Sequence, residues 1–172
     1  EHPLKGAQRT IAKNMDISLE LPTATTVRDM PAKLMFENRS MVNDHLRSQG
    51  RSKISFTHII GWAMVKSVLA HPTMNNSYAV VDGKPSLVTP EHVNLGLAID
   101  LVSKNGSRNL VVAAIRDCET LTFDGFVDAY EDIVARARKG KLTMDDFSGV
   151  TIQLTNPGGI GTRHSVPRLT RG

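Results

Sequence analysis

The stretch from Ser55 to Leu69 constrains the fold more than any other part of the sequence. Ile59, Ile60, Trp62, Ala63, Met64, Val65, Val68 and Leu69 are distributed around the whole circumference of a helix. A helix that is apolar on every side has to be covered on every side. The chain is therefore expected to fold around this segment, with Trp62 in the core. His71-Pro72 ends the helix. Its longest apolar stretch, Ile59 to Val65, is cut by Lys66 and falls well short of the ~20 residues that span a bilayer. His58 lies in the first turn and reads as a helix residue rather than a ligand.

Strand signals follow. Tyr78 to Val81 and Pro85 to Val88 flank Asp82-Gly83, a hairpin turn sequence. Val93, Leu95, Leu97, Ile99 and Leu101 alternate with smaller or polar residues, the pattern of a strand with one apolar face. Leu110 to Ile115 is a continuous apolar run, typical of a buried strand. Asn105-Gly106 between these two predicts an antiparallel pair. Val150 to Thr155 alternates again, with Val150, Ile152 and Leu154 on one side and Thr151, Gln153 and Thr155 on the other. Thr23 to Arg28, rich in β-branched residues, reads as a further strand.

Helical spacing marks three more segments. Ala7 to Met15 suggests a short amphipathic helix. In Pro31 to Leu46, Pro31 suits a first helical position and His45 falls on or beside the apolar stripe, where a packed side chain is expected. Phe123 to Lys139 repeats apolar residues at i, i+3, i+4 and i+7 and closes on Gly140, a cap glycine. Arg136, Arg138, Lys139 and Lys141 then complement a helix C-terminus. Thr143 with Asp146 resembles an N-cap and its acidic partner. Hairpins and helix-linked strands together predict an α/β fold, an α+β two-layer sandwich in which helices pack on a mixed sheet.

Composition narrows the function. With 172 residues, 40% hydrophobic and 22% charged, the chain is neither disordered nor fibrous and is expected to form one domain. Its 5% aromatic content leaves little for a base-stacking reader of single strands. The net charge of +4 is scattered, so neither nucleic acid nor membrane is an expected partner. Cys118 is the sole cysteine, which excludes an internal disulfide and any multi-thiolate metal site. A reducing, cytoplasmic setting is expected, and Glu1 to Lys5 carries no signal-peptide pattern.

Few residues carry chemistry on their own evidence. Asp145-Asp146 reads as a helix-start pair, and H-E-x-x-H, P-loop and G-x-S-x-G patterns are absent. Pro157 to Gly161 is glycine-rich, but the following Thr162 to Pro167 is not helical, so it reads as a turn rather than a phosphate loop. His164-Ser165 are adjacent on an extended segment and point apart, a poor nucleophile–base pair. Cys118 has no clear cationic neighbour to lower its pKa and reads as inert. Thr155 is a strand-end hydroxyl.

Two segments give that hydroxyl more meaning. Gly140-Lys141-Leu142-Thr143-Met144-Asp145-Asp146 and Gly149-Val150-Thr151-Ile152-Gln153-Leu154-Thr155-Asn156-Pro157-Gly158-Gly159-Ile160-Gly161 resemble the catalytic domain of the dihydrolipoamide acyltransferases of 2-oxo acid dehydrogenase complexes. Leu4-Lys5-Gly6 through Met15 is similar to that family's domain start, and Asn94 to Asp100 to its central strand. Lys53 to His58, Val80 to Pro85 and His164 to Leu169 resemble most the succinyltransferase-type domain fused ahead of a thiamine-diphosphate decarboxylase in actinobacterial multifunctional 2-oxoglutarate dehydrogenases.

The resemblance implies a chloramphenicol acetyltransferase-like fold, trimer-based homo-oligomers, and succinyl transfer between dihydrolipoamide and coenzyme A in the tricarboxylic acid cycle. Coenzyme A and the lipoyl group would be substrates. Thiamine diphosphate and magnesium would belong to the fused decarboxylase domain, and no cofactor or metal is expected in this one. The implied partners are the lipoyl domain of a partner acyltransferase and the dihydrolipoamide dehydrogenase of the complex. Thr155 matches the hydroxyl that donates to the tetrahedral oxyanion. The sequence departs from the family pattern in two places. No histidine is followed by the pattern H-x-x-x-D-G, or its variant with Gln for Asp, that carries the family's general base. Lys104 to Asn109 is longer than the family's usual tight turn. Residues 1–172 are therefore expected to be the N-terminal two-thirds to three-quarters of the domain, C-terminally truncated and inactive alone. The alternative is a scaffold domain that oligomerises a decarboxylase.

Overall fold

A computed structural model describes residues 3–102, 106, 108–158 and 161–168. These fall in two compact units, one of residues up to 31 and from 157 onward, the other of residues 32–156. The first contains helix α1, Ala7–Ser18. The second contains α2 (Lys33–Ser48), α3 (Phe56–Ala70), β1 (Ser77–Val81), β2 (Lys84–Val88), β3 (Leu95–Val102), β4 (Arg108–Ile115), α4 (Phe123–Arg138) and β5 (Ile152–Leu154). No described helix is long and apolar enough to cross a membrane.

The main sheet has the order β4-β3-β5. β4 runs antiparallel to β3, pairing Leu95 with Ile115 and Val102 with Arg108, while β5 runs parallel, pairing Leu95 with Ile152 and Leu97 with Leu154. The sheet is mixed, as the sequence predicts. β1 and β2 form a separate hairpin through Asp82 and Gly83, both at positive φ, the turn geometry that Asp-Gly favours. Arg108 already belongs to β4, ion-paired to Asp100 across the ladder, so less of the segment from Lys104 to Asn109 is loop than the sequence suggests. The rest of that turn lies outside the described residues, apart from Gly106.

Helices α3 and α4 pack on β3 and β4. Val65, Leu95, Leu97, Ile99, Phe126 and Ile133 form the centre of the core. Gly61 lets α3 approach closely: a Cβ there would meet Phe126 at 3.0 Å and Leu95 at 3.3 Å. Gly96 does the same on the sheet, where a Cβ would meet Val150 at 2.6 Å.

α3 is not buried on every side. His58, Gly61, Val65 and Val68 form a buried stripe, Trp62 is half-buried against Phe123 and Phe126, and Leu69 remains 42% exposed. The three-stranded sheet and α4 cover one side of this helix, and Phe36 and Arg39 of α2 cover Phe56 at its start. Three other expectations fail. Thr23 to Arg28 forms no strand, because a β-branched run needs a partner edge and no ladder reaches it. Pro31 precedes the N-cap Ala32 instead of opening α2. His45 is exposed, since α2 buries only Asn43 and Leu46.

Two polar clasps fix the connections. Asn94 accepts from Asp117 N–H (2.9 Å) through its side chain and donates to the Gly149 carbonyl (2.8 Å). Its own N–H donates to Thr151 Oγ1 (3.0 Å), and its carbonyl accepts from Thr151 N–H (3.0 Å). The exit of β4, the entry of β3 and the approach to β5 meet on this residue. The second clasp follows α4. Gly140, at φ +64°, ends the helix with Lys141 N–H donating to the Arg136 carbonyl. Asp146 then accepts from Arg136 (2.7 Å) and from Thr143 N–H (2.7 Å) and Oγ1 (2.9 Å). The acid reaches back as predicted, but Thr143 donates to it rather than capping.

Replacing Asn94 with Ala should lower unfolding stability by about 1–2 kcal/mol, since it removes the side-chain partner of Asp117 N–H and of the Gly149 carbonyl; a denaturant midpoint measures this. Arg136 and Thr143 hold the Asp146 carboxyl down at about 2. A carboxylate with a depressed folded value stabilises above its unfolded value, here 3.8, and that stabilisation is lost as pH falls toward the folded value. Melting curves should therefore show a weaker stability loss from about pH 4 to about 2 in Asp146→Asn than in the parent chain.

Candidate active site

β5 delivers Thr155. Ile152 and Leu154 turn toward the core, so Gln153 and Thr155, two residues apart, share the opposite face. Thr155 follows the last paired residue and is exposed. Gln153 Nε2 donates to Thr155 Oγ1 at 3.3 Å. A hydroxyl carries one proton and two acceptor sites. The glutamine occupies an acceptor site and leaves the proton to donate elsewhere. The next residue is tied down as well: Asn156 Nδ2 donates to Thr57 Oγ1, 2.9 Å away. The strand end is thereby joined to the first turn of α3.

That first turn is built from Ser55, the N-cap. Ser55 Oγ accepts from His58 N–H (3.4 Å) and Ser55 N–H donates to His58 Nδ1 (2.8 Å), a reciprocal cap in which histidine fills the third position. Because Nδ1 accepts, the ring proton belongs on Nε2, which lies 3.1 Å from Glu131 Oε1. Burial lowers the His58 pKa, with Glu131 opposing, and the ring packs at a tilt of 56° against Tyr130, centroids 4.0 Å apart. Burial shifts the phenol of Tyr130 upward in pKa.

His92, Asp117 and Glu119 bring one ligand atom each within 4.8 Å of one another. The space between them is already bridged. His92 Nδ1 lies 2.6 Å from Glu119 Oε1, and Glu119 Oε2 accepts from Val93 N–H at 2.9 Å. The hydrogen bond to Glu119 raises the His92 pKa. These contacts lock the entry to β3 against the turn after β4. His164 belongs to the smaller unit, where His164 to Pro167 and residues 22–28 line a cavity of about 530 Å³.

The sequence singled out Thr155, but not the bond that joins the next residue, Asn156, to Thr57. The alternation had placed Gln153 beside Thr155. The Asn156–Thr57 bond spans 99 residues, and no local signal announces it.

Cys118 is fully buried, and burial pushes its thiol up to about 11. Its Sγ–H donates to the Ile115 carbonyl at 3.1 Å. At pH 8 this thiol should resist iodoacetamide in the folded chain and react once denaturant is added, which mass spectrometry reads directly.

The sequence matches the family described as 2-oxoacid dehydrogenases acyltransferase (catalytic domain) over residues 1–172. It is 72% identical over 170 residues to the 2-oxoglutarate dehydrogenase E1/E2 component of Corynebacterium glutamicum, covering 99% of this chain and 14% of that protein. It is 62% identical to the multifunctional 2-oxoglutarate metabolism enzyme of Mycobacterium sp. (strain JLS), covering 98% of this chain and 13% of that one. The chain thus spans about one-seventh of these relatives' length. The fold matches a probable dihydrolipoamide acetyltransferase from Listeria monocytogenes with a TM-score of 0.83 at 22% identity, over 99% of this chain and 69% of the other. Azotobacter vinelandii dihydrolipoamide acetyltransferase, in which a serine, a histidine and an asparagine have been studied for their catalytic roles, gives 0.83 at 22% identity, with 99% and 67% coverage.

Proposed function

Since the chain belongs to the acyltransferase catalytic-domain family of the 2-oxoacid dehydrogenases, we propose that residues 1–172 form part of one acyltransferase domain that moves succinyl groups between dihydrolipoamide and coenzyme A. The observation that carries this reading is Thr155, exposed at the end of β5 with its acceptor side engaged by Gln153. The succinyl specificity rests on the 2-oxoglutarate names of the relatives.

In the forward direction a coenzyme A thiolate attacks the carbonyl carbon of the succinyl-lipoyl thioester. The carbonyl electron pair moves to oxygen, and the Thr155 O–H donates to that oxyanion. Collapse re-forms the carbonyl and expels the dihydrolipoamide thiolate, which takes up the proton removed from coenzyme A. A hydroxyl fixed where charge develops stabilises the transition state more than the ground state. The base for the attacking thiol comes from outside these 172 residues, because none of the six histidines stands in the family's late motif. The domain would work in a trimer-based homo-oligomer in the cytoplasm, with a lipoyl domain delivering the acyl group and dihydrolipoamide dehydrogenase reoxidising the carrier. Thiamine diphosphate would serve the fused decarboxylase.

In the full natural chain, Thr155→Ala should lower kcat for succinyl transfer by about 100–1000-fold with little change in KM. The 172 residues alone should show no turnover. If Thr155→Ala leaves kcat intact, the oxyanion assignment is wrong, and the scaffold alternative, checked by light scattering for oligomer size, takes its place.

A further inference from the structure

Thr57 occupies the second position of α3 and is half-buried. Its hydroxyl oxygen accepts from Asn156 Nδ2 at 2.9 Å. It is itself held in a polar seam between α3 and α4. The neighbouring His58 ring is fixed between Ser55 N–H, Tyr130 and Glu131. Both helices that carry these residues contribute to the core.

The ladder of β5 ends at Leu154, paired with Leu97. Thr155 therefore stands one residue past the last pairing, where exit torsions set the direction of its side chain. Two contacts bracket it: Gln153 on the strand side and, on the other, the tether from Asn156 to Thr57. We infer that Thr57 is a positioning residue for acyl transfer, which holds Asn156 and so aims the Thr155 hydroxyl at the oxyanion. The inference rests on the role proposed for Thr155. Thr57 touches neither thiol substrate in this scheme; it acts through the turn of chain that carries the donor. Displacing a donor by a fraction of an ångström weakens it in the transition state and leaves ground-state binding nearly unchanged.

The test uses the full natural chain in its assembled complex, with coenzyme A and a succinylated lipoyl donor. Thr57→Val, which keeps the shape and removes the acceptor, should lower kcat roughly tenfold to a hundredfold and move either KM by less than about twofold. Thr57→Ser, which keeps the hydroxyl, should restore kcat to within about threefold of the parent. Asn156→Leu breaks the same bond from the other side and should give a similar loss, with no further loss when combined with Thr57→Val. Adding Thr57→Val to Thr155→Ala should likewise cost nothing more. If Thr57→Val unfolds the domain, the Thr57→Ser and Asn156→Leu results decide. Loss of kcat in Thr57→Ser equal to that in Thr57→Val, full activity in Asn156→Leu, or additivity with Thr155→Ala each overturns the inference. An unchanged kcat in Thr155→Ala removes the parent reading instead, and a large loss there with none in Thr57→Val removes only the role of Thr57.

Discussion

The hydrogen bonds around Asn94 are the constraint on which the sheet depends. β3 carries ladders on both edges, antiparallel on one and parallel on the other. A strand in that position has no freedom of register once its first residue is fixed, because a slip of one residue would turn Leu95, Leu97 and Ile99 away from the helices. Asn94 supplies the fixing. It binds Asp117 just after β4, and Gly149 and Thr151 just before β5, so one side chain and its backbone set three strand positions together. Gly96 adds a steric condition, since only hydrogen at that Cα leaves room for Val150. The place of Thr155 is thus decided at the opposite end of the strand that carries it.

Much of this was legible in the sequence because it is local. Asp82-Gly83, Gly140 and the alternation from Val93 to Leu101 each obey a rule that operates within a few residues, and each element formed where its pattern stood. The face of Gln153 and Thr155 was visible for the same reason. What stayed hidden was non-local. The Asn94 clasp crosses more than fifty residues and the Thr57–Asn156 bond ninety-nine. The strand expected at Thr23 to Arg28 failed by the same logic in reverse: local composition favours an extended chain, yet strand formation needs a partner that composition cannot name. Apolar patterning also overstated the cover on α3, because periodicity reports what a face requires and not which residues supply it.

The cap of α3 shows how a buried histidine is accommodated. His58 would be costly if charged and unpaired in its place. Its burial lowers the pKa, Ser55 N–H occupies Nδ1, and Glu131 faces Nε2. The neutral ring thereby serves as the third residue of a helix cap. The acceptor nitrogen of this histidine is thus already used by the backbone.

That allocation has a consequence for where negative charge can develop. The first turn of α3 ends a fifteen-residue helix, and its N-terminal end of the dipole favours an anion. Asn156 is bonded to this turn, and Thr155 precedes it at the end of β5. Two independent demands of the fold, capping α3 and terminating β5, are met by the same group of residues. In the role proposed for Thr155, a hydroxyl held in this way would need no rearrangement when a carbonyl oxygen becomes charged, which is the condition for contributing more to the transition state than to substrate binding.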